Sequence, residues 1–397
     1  MRKFLFNSLS IYKWKIPFPV FLWMILAIAG ALVEILRGTA SINNFLIFRG
    51  VFWHSVQQIN LYAQYPTEYF DNNHYGPSFS ILIAPFAWLN VFIGCFLWCV
   101  ANALILLYAV KQLPISIQKK HVILLIGAIE MMTSIQNVQF NPMLTAWIMM
   151  SYVLVQKEKD FWATLFIAAG FLVKLYGIVG LAFFFFSNHK IKFALSFIFW
   201  ILVLFALPMI YATPSFIVQS YKDWFNILTV KNNKNALATA NNYMQDISVL
   251  GMIRRIGNIQ NLKNLYILIP AALLYVLPFL RWKQFKFTTF QLSYLAFALI
   301  GVVIFSTSAE SATFVIAVMG VGIWYVIQQQ KTVWINIVLG FVLLLTSLSA
   351  TDLFPEYIRM NFVRPYSLKA LPCFLVWLIL GYQLLKKNFS LADTQHA

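Results

Sequence analysis

The segment YPTEYFDNNHYGPSF, Tyr65–Phe79, carries side chains that suit proton transfer and hydrogen bonding. Its carboxylates are Glu68 and Asp71, and His74 follows shortly after them. A carboxylate can accept the proton of a reacting hydroxyl group, and a second one nearby raises its pKa toward that of a useful base. An acid that precedes Asn72 can equally close a turn. Both interpretations of Asp71 stay open, and among the acids it is our first choice for a base.

Three basic residues lie where a cation could hold an anion. Lys174 stands inside the apolar run AAGFLVKLYGIVG, where a charge is costly unless it reaches water, a carboxylate or a phosphate. It either extends to the membrane surface from a helix end or holds an anionic lipid head group. Arg254 and Arg255 end the segment NNYMQDISVLGMIRR, and guanidinium groups bind phosphate through paired hydrogen bonds. A solvated loop is the alternative for this pair.

Further polar residues stand at the ends of apolar runs. The turn VQFNP contains Gln139 and Asn141, whose amides either cap a helix or bind sugar hydroxyls. The segment STSAESATF places Glu310 between two apolar runs, as a solvated turn or as an acid with a chemical role. Asp246 precedes Ser248 in QDIS and is another acid that could serve as a base.

The remaining reactive residue types form no recognisable site. The five histidines are scattered, and Cys95, Cys99 and Cys373 all fall inside apolar runs, so neither metal-ligand spacing nor a disulfide framework is indicated. The sequence has no P-loop and no dinucleotide-binding fingerprint. We expect no metal and no cofactor.

The composition is that of a polytopic membrane protein. Of 397 residues 61% are hydrophobic and 10% charged, whereas a soluble domain carries about 25% charged residues. Continuous apolar runs recur from end to end, which favours helices over the alternating strands of a β-barrel. We therefore predict an all-α, polytopic transmembrane bundle with about 10–12 spans, half-helices included.

The net charge of +17 reflects topology rather than nucleic-acid binding. Basic residues cluster between the apolar runs, as in cytoplasmic loops of membrane proteins. These clusters include Lys111–Lys120, Lys190–Lys192, Arg281–Lys286 and Lys386–Lys387. We expect contacts with membrane lipid and none with nucleic acid.

The order of these runs predicts a single integral membrane domain, 1–397. A first span at 17–36 delivers 37–77 to the outer face, where FLIFRGVFWHSVQQINLY is expected to form an interfacial amphipathic helix. Spans in 78–211 follow, then an outer loop at 212–263 and spans in 264–386. Pro85 and Asn90 interrupt the run 78–110, which predicts either a bent span or shorter pieces.

The run from 161 to 186 has basic loops on both sides, so a single pass would violate the charge rule. Two half-helices that meet near Lys174, at the outer mouth, satisfy it.

Four motifs in order resemble glycosyltransferase family 87, the membrane-embedded, polyprenyl-phosphate-mannose-dependent α-mannosyltransferases of the GT-C fold. They are YP..YFD...YGP.F, Q-x-N, G-x-x-x-K and Q-D-I-S-x-x-G-x-x-R-R, and the resemblance covers roughly residues 20–325. It implies transfer of a hexose, with mannose as the first candidate, from a polyprenyl-phosphate donor to a glycolipid or glycan acceptor. The transfer would take place on the outer face of the cytoplasmic (inner) membrane, with inversion and without a metal.

The resemblance also implies roles for the residues above. Aromatic rings of the first outer loop would stack on sugars. The candidate bases are Asp71, Glu68, Glu310 and Asp246; the candidate ligands of the donor phosphate are Lys174, Arg254 and Arg255; the candidate sugar or acceptor ligands are Asn44, His74, Tyr75, Gln139, Asn141, Gln245 and Ser248.

One position departs from the family pattern. Related enzymes place an acid just before the interfacial helix, whereas this chain reads SINNFLIF, with Asn43 and Asn44. An amide cannot act as a base, so the role has moved to another acid or the chemistry is changed or lost. A transporter or flippase for lipid-linked saccharides and a non-catalytic family member are therefore the alternatives to a transferase.

Overall fold

The computed structural model describes residues 8–11, 14–236, 244–259 and 262–390. Across these residues the protein is nearly all helical, which confirms the predicted polytopic all-α class. The exception is a short antiparallel hairpin near the N-terminus, formed by β1 (Ser8–Ile11) and β2 (Trp14–Pro17). The first helix begins directly after it.

Sixteen α-helices follow the hairpin within the described residues. Short 3₁₀ or π segments extend or join several of them. The α-helices are α1 (Phe18–Leu36), α2 (Asn43–Gln57), α3 (Phe79–Ala87), α4 (Val91–Gln112), α5 (Ile117–Gln136), α6 (Asn141–Gln156), α7 (Asp160–Val173), α8 (Lys190–Ala206), α9 (Pro214–Ala236), α10 (Val249–Gly257), α11 (Leu265–Val276), α12 (Thr288–Ile304), α13 (Phe314–Ile327), α14 (Val333–Phe341), α15 (Glu356–Ile358) and α16 (Leu371–Lys386).

Six helical segments in the described part of the chain are long and apolar enough to cross a membrane. Four shorter apolar segments accompany them. The protein is therefore a multi-pass membrane protein, and the count of about 10–12 spans stays a prediction. The long segments are Phe18–Leu36, Val91–Gln112, Lys190–Ile210, Leu265–Gln284, Val333–Ala350 and Leu368–Lys386.

The predicted interruptions at Asn90 and Lys174 are confirmed, whereas Pro85 lies inside α3 and does not end it. The run after residue 78 divides into α3 and α4 on either side of Asn90. The run 161–186 divides at Lys174, whose backbone is extended (φ −150°, ψ 116°) between α7 and the 3₁₀ helix Leu175–Phe186. The two halves pack closely. A Cβ on Gly177 would lie 2.3 Å from the carbonyl carbon of Gly170, so only glycine fits at position 177.

The chain forms two compact units. Unit 1 comprises Met1–Phe21, Leu113–Thr133 and Asn232–Ala397, and unit 2 comprises Leu22–Gln112 and Ser134–Lys231. The single integral membrane domain stays a prediction. The predicted outer loop 212–263 is more regular than its polar sequence suggested, since α9 and α10 lie within it.

The interior of unit 2 is aromatic. The Tyr75 ring stacks on Phe79, with centroids 4.7 Å apart, and meets Phe48 edge to face at 5.0 Å. Trp98 and Phe140 extend this cluster. Such pairs contribute about 0.5–1.5 kcal/mol beyond the burial of their surface, so they fix the end of the segment that carries Asp71.

Unit 1 is built on α12 and α13, which pack along their length and are almost wholly buried. Its interior also holds an ion pair. The Lys369 ammonium donates to Glu130 Oε1 at 2.8 Å and to Ser311 Oγ at 3.0 Å. Glu130 is fully buried and Lys369 is 4% exposed, so each charge depends on the other for compensation.

Candidate active site

The first turn of α2 fixes two loops of unit 2 through side-chain amides. Asn43 Nδ2 donates to the carbonyl oxygen of Phe70 at 2.8 Å, and Asn43 Oδ1 accepts from the Phe70 amide at 2.8 Å. Asn44 Nδ2 donates to the carbonyl oxygen of Asn137 at 2.8 Å. The Asn43 amide thus holds the backbone next to Asp71.

Glu68 lies against a buried histidine of α2. Its Oε2 is 3.0 Å from His54 Nε2, and the His54 ring lies 4.0 Å from the Tyr65 ring. His54 is 2% exposed, whereas the side chain of Glu68 is half exposed. His54 therefore orients Glu68 from the protein interior. It is itself too deeply buried to contact a substrate.

Asp71 is exposed and sits at a tight turn. Its φ of 74° lies in the left-handed region, which Asp and Asn tolerate better than most residues. Asp71 Oδ1 accepts from the Asn72 amide at 2.8 Å, and Asn72 Nδ2 donates to the carbonyl oxygen of Tyr62 at 2.9 Å. The Asn73 side chain accepts from the Tyr75 amide at 2.9 Å. The Asp71 backbone is therefore held on both sides.

Gly76 anchors this segment beside Lys174. Its amide donates to the carbonyl oxygen of Val173 at 3.0 Å. A Cβ on Gly76 would lie 1.9 Å from the carbonyl oxygen of Leu172, so the backbone approaches α7 more closely than any side chain permits. The glycine of the YGP motif thus brings the acidic segment to the helix break.

The Lys174 ammonium is held by an amide and two ring faces. Its Nζ donates to Asn141 Oδ1 at 2.7 Å and lies 5.7 Å from the Tyr75 ring centroid and 5.1 Å from that of Tyr176. These neutral groups orient the ammonium. Tyr75 also donates from its hydroxyl to Gln139 Oε1 at 3.2 Å. The structure thus brings Lys174, Tyr75, Gln139 and Asn141 together.

The pKa of His74 is shifted by burial and by the charged residues around it. Burial lowers its pKa to about 4, and the positive charge of Lys231 adds to that effect. Asp71 opposes the shift, whereas Lys174 contributes to it weakly. His74 is therefore neutral near pH 7, and both Asp71 and Lys174 affect its pKa. Its carbonyl oxygen accepts from Trp224 Nε1 at 2.9 Å, which ties the segment to α9.

The remaining site predictions fall in unit 1, where they bond chiefly to one another. Asp246 is 1% exposed; its carboxylate accepts from Ser248 Oγ at 2.6 Å and from Arg254 Nη1 at 2.8 Å. Burial raises the pKa of Asp246 to about 6, and the Ser248 hydroxyl and the two arginines oppose that shift. Arg255 donates to the carbonyl oxygens of Gln245, at 2.9 Å, and of Asp246, at 3.0 Å.

The contacts of these arginines are structural, since they join protein groups to one another. Ser248 also caps α10 by accepting from the Gly251 amide at 3.1 Å. Glu310 begins a short 3₁₀ helix through a capping box with Thr313, and its Oε1 accepts from Gln245 Nε2 at 2.9 Å. The catalytic or phosphate-binding roles of these residues stay predictions.

Three features of the site escaped the sequence analysis. His54 lies on the predicted interfacial helix, but nothing in its spacing pointed to Glu68. Lys231 acts on His74 from α9, a helix that polar composition concealed. Asn43 was recognised only as a missing acid, although its amide can make a paired contact that a carboxylate cannot.

Comparison with known protein families finds a match. The model of glycosyltransferase family 87 matches residues 73–308, more than half of the chain. No curated protein matches. The matched range contains His74, Lys174 and the Asp246–Arg255 segment, begins just after Asp71 and ends just before Glu310. Together with the multi-pass helical fold, this match identifies the chain as a member of glycosyltransferase family 87 and hence as a membrane glycosyltransferase.

Proposed function

We propose that the protein transfers a hexose from a polyprenyl-phosphate donor to a hydroxyl group of a glycolipid or glycan acceptor. Mannose is the first candidate for this hexose. The observation that carries the proposal is that the segment of an exposed acid, Asp71, is hydrogen-bonded through Gly76 to the residue before a held cation, Lys174. Glycosyl transfer from a phosphate needs one group of each kind. Family membership favours a transferase over the alternative of a lipid-linked saccharide transporter.

Asp71 is the proposed base. The oxygen of the acceptor hydroxyl attacks the anomeric carbon, the bond from that carbon to the phosphate oxygen breaks, and the hydroxyl proton passes to the Asp71 carboxylate. General-base assistance of this kind contributes about 10²–10⁴-fold to the rate. The exposed side chain of Asp71 and the backbone contacts on both sides of it support this role.

Lys174 is the proposed ligand of the donor phosphate. The leaving polyprenyl phosphate carries the electron pair of the broken bond, and a fixed cation stabilises that charge as it develops. The hydrogen bond to Asn141 and the faces of Tyr75 and Tyr176 orient the ammonium in advance. The faces of these two tyrosine rings also suit stacking against the sugar that is attached to the phosphate.

The proposed site faces the outside of the cytoplasmic membrane. The loops that carry the basic clusters are expected to be cytoplasmic, and the segment 37–77 and the α9–α10 region then fall on the opposite side. A polyprenyl-linked donor would reach this side with its lipid in the membrane and its sugar in water.

The test uses purified protein, a labelled polyprenyl-phosphate hexose and a glycolipid extract. We expect Asp71→Asn to lower turnover by about 10² or more, with donor binding retained, because the amide keeps the shape but loses the basic oxygen. Asp352→Asn, a change at a fully exposed acid, is the matched control. Near-normal turnover in a folded Asp71→Asn protein would exclude Asp71, and the absence of transfer by the wild-type protein would support the non-catalytic alternative.

A further inference from the structure

A solvent-open groove of about 240 Å3 lies in unit 2, beside the acidic segment and apart from the residues assigned so far. It is smaller than the roughly 300–1,000 Å3 of pockets that hold drug-sized ligands, so it suits a single sugar ring. Asn60, Tyr62 and Ala63 form one wall, and one face of α9 forms the other. The side chains that matter are those of Asn60, Tyr62, Asp223, Asn226, Ile227 and Val230.

The polar side chains of the groove keep hydrogen-bonding capacity. The Asn60 oxygens are used within the loop, since Oδ1 accepts from the Tyr62 amide at 2.8 Å and the carbonyl oxygen from the Tyr65 hydroxyl at 2.6 Å. Asp223 Oδ1 accepts from Gln219 at 2.8 Å. Within the described residues, Asn60 Nδ2, the second oxygen of Asp223 and the Asn226 amide bond to no protein group.

This combination matches a neutral sugar better than an anion. Amide donors and a carboxylate acceptor are the groups that bind adjacent hydroxyls, and the apolar side chains can cover the C–H face of a sugar ring. No lysine or arginine is among the described residues that line the groove. A ligand phosphate would therefore meet the Asp223 carboxylate without a compensating cation.

The groove is also joined to the proposed base. Tyr62 is 7% exposed, donates from its hydroxyl to the carbonyl oxygen of Tyr75 at 3.0 Å and accepts at its own carbonyl from Asn72 at 2.9 Å. One residue thus contributes to the groove wall and contacts the backbone on the C-terminal side of Asp71. A sugar held in the groove would lie next to the segment that carries the base.

We propose that this groove is the acceptor subsite and binds a neutral hexose of the acceptor glycan, a proposal that rests on the transferase function. The donor sugar is excluded because its phosphate requires a cation, which the structure offers at Lys174 and not in the groove. The Asp223 carboxylate and the Asn226 amide bind hydroxyl groups, and the Tyr62 and Ile227 side chains cover the ring.

The first experiment measures binding alone. Saturation-transfer NMR on the full-length protein in detergent would use methyl α-mannoside and methyl β-glucoside as neutral probes and glycerol phosphate as an anionic one. We expect a neutral hexoside to bind and Asp223→Ala to weaken it by about tenfold or more, because a charge-assisted hydrogen bond is lost. Asn226→Ala should weaken it less. Thr229→Ala, on α9 but outside the groove, is the control and should bind normally.

The second experiment separates acceptor from donor. In the transfer assay, Asp223→Ala should raise the KM for the acceptor by about tenfold and leave the KM for the donor unchanged. A raised donor KM with an unchanged acceptor KM would overturn the proposal, as would hexoside binding that neither variant weakens, or binding of glycerol phosphate alone. Hexoside binding without any transfer would refute the proposed function and leave the groove as a sugar site.

Discussion

Asn43 contacts Phe70, and two hypotheses about the base predict opposite effects of the substitution Asn43→Asp on turnover. If Asp71 is the base, Asn43 serves it by clamping the preceding residue, and Asn43→Asp should lower turnover. If a base belongs at position 43, the same change supplies a carboxylate there and should raise turnover. The substitution keeps the size of the side chain, so the two outcomes report on chemistry rather than on shape.

The size of the effect follows from the two 2.8 Å hydrogen bonds. An Asp side chain can still accept from the Phe70 amide, but it has no proton for the Phe70 carbonyl oxygen and faces it with a second oxygen. The lost bond costs about 0.5–1.5 kcal/mol, and the repulsion adds to it. Because about 1.4 kcal/mol is a factor of ten in an equilibrium constant, we expect the turn at residues 70–72 to open about tenfold more often.

Hydrogen–deuterium exchange of the peptide that spans residues 68–76 measures that opening, and the transfer assay measures turnover on the same protein. Asn43→Ala removes both bonds and should increase exchange further. Asn44→Asp is the matched control for exchange, because Asn44 contacts the carbonyl oxygen of Asn137 and leaves Phe70 untouched. Unchanged exchange in Asn43→Asp would contradict the clamp, and a gain in turnover would contradict the assignment of the base to Asp71.

Three further predictions concern the anchors and charges of the two units. Gly76→Ala should destabilise unit 2 by about 1–3 kcal/mol and weaken donor binding, since the new Cβ overlaps the α7 backbone; Gly340→Ala, with no atom within 4 Å of its Cβ position, is the control in thermal unfolding. The lowered pKa of His74 contributes stability that is complete above pH 6.5 and is lost as the pH falls toward 4. His74→Gln should therefore reduce the loss of stability between pH 7 and pH 5 by about 2 kcal/mol, and an unchanged pH dependence would contradict the assignment. Lys369→Met should destabilise the protein by about 3–5 kcal/mol, and adding Glu130→Gln should recover much of that loss; a double variant as unstable as the single one would show that the charges do not compensate each other.

The sequence was sufficient for the apolar helices and for the breaks at Asn90 and Lys174. Backbone groups in a membrane must bond within their own segment, so a long apolar run can hardly be anything but a helix. A residue that resists this rule, such as Asn90 or Lys174, therefore marks an interruption.

The pairings that build the site were beyond the sequence, because they join residues that are distant in the chain. Asn43 meets Phe70 and Lys174 meets Asn141 through the packing of α2, α6 and α7, which no local pattern specifies. For Arg254 and Arg255 the sequence showed two cations but not how many protein groups compete for them. The helix α9 was overlooked because its polar residues resemble those of a loop.

The ion pair in unit 1 has a consequence for the order in which the protein is made. Its partners are 239 residues apart, and at about 5–20 residues per second a ribosome needs roughly 10–50 s to reach Lys369 after Glu130. Throughout that interval the α5 carboxylate has no ammonium to neutralise it, so it must stay protonated or stay near water. The final burial of α5 then depends on one of the last segments to be synthesised. We expect chains that end before Lys369 to leave α5 open to proteases, although the whole helix has already been made.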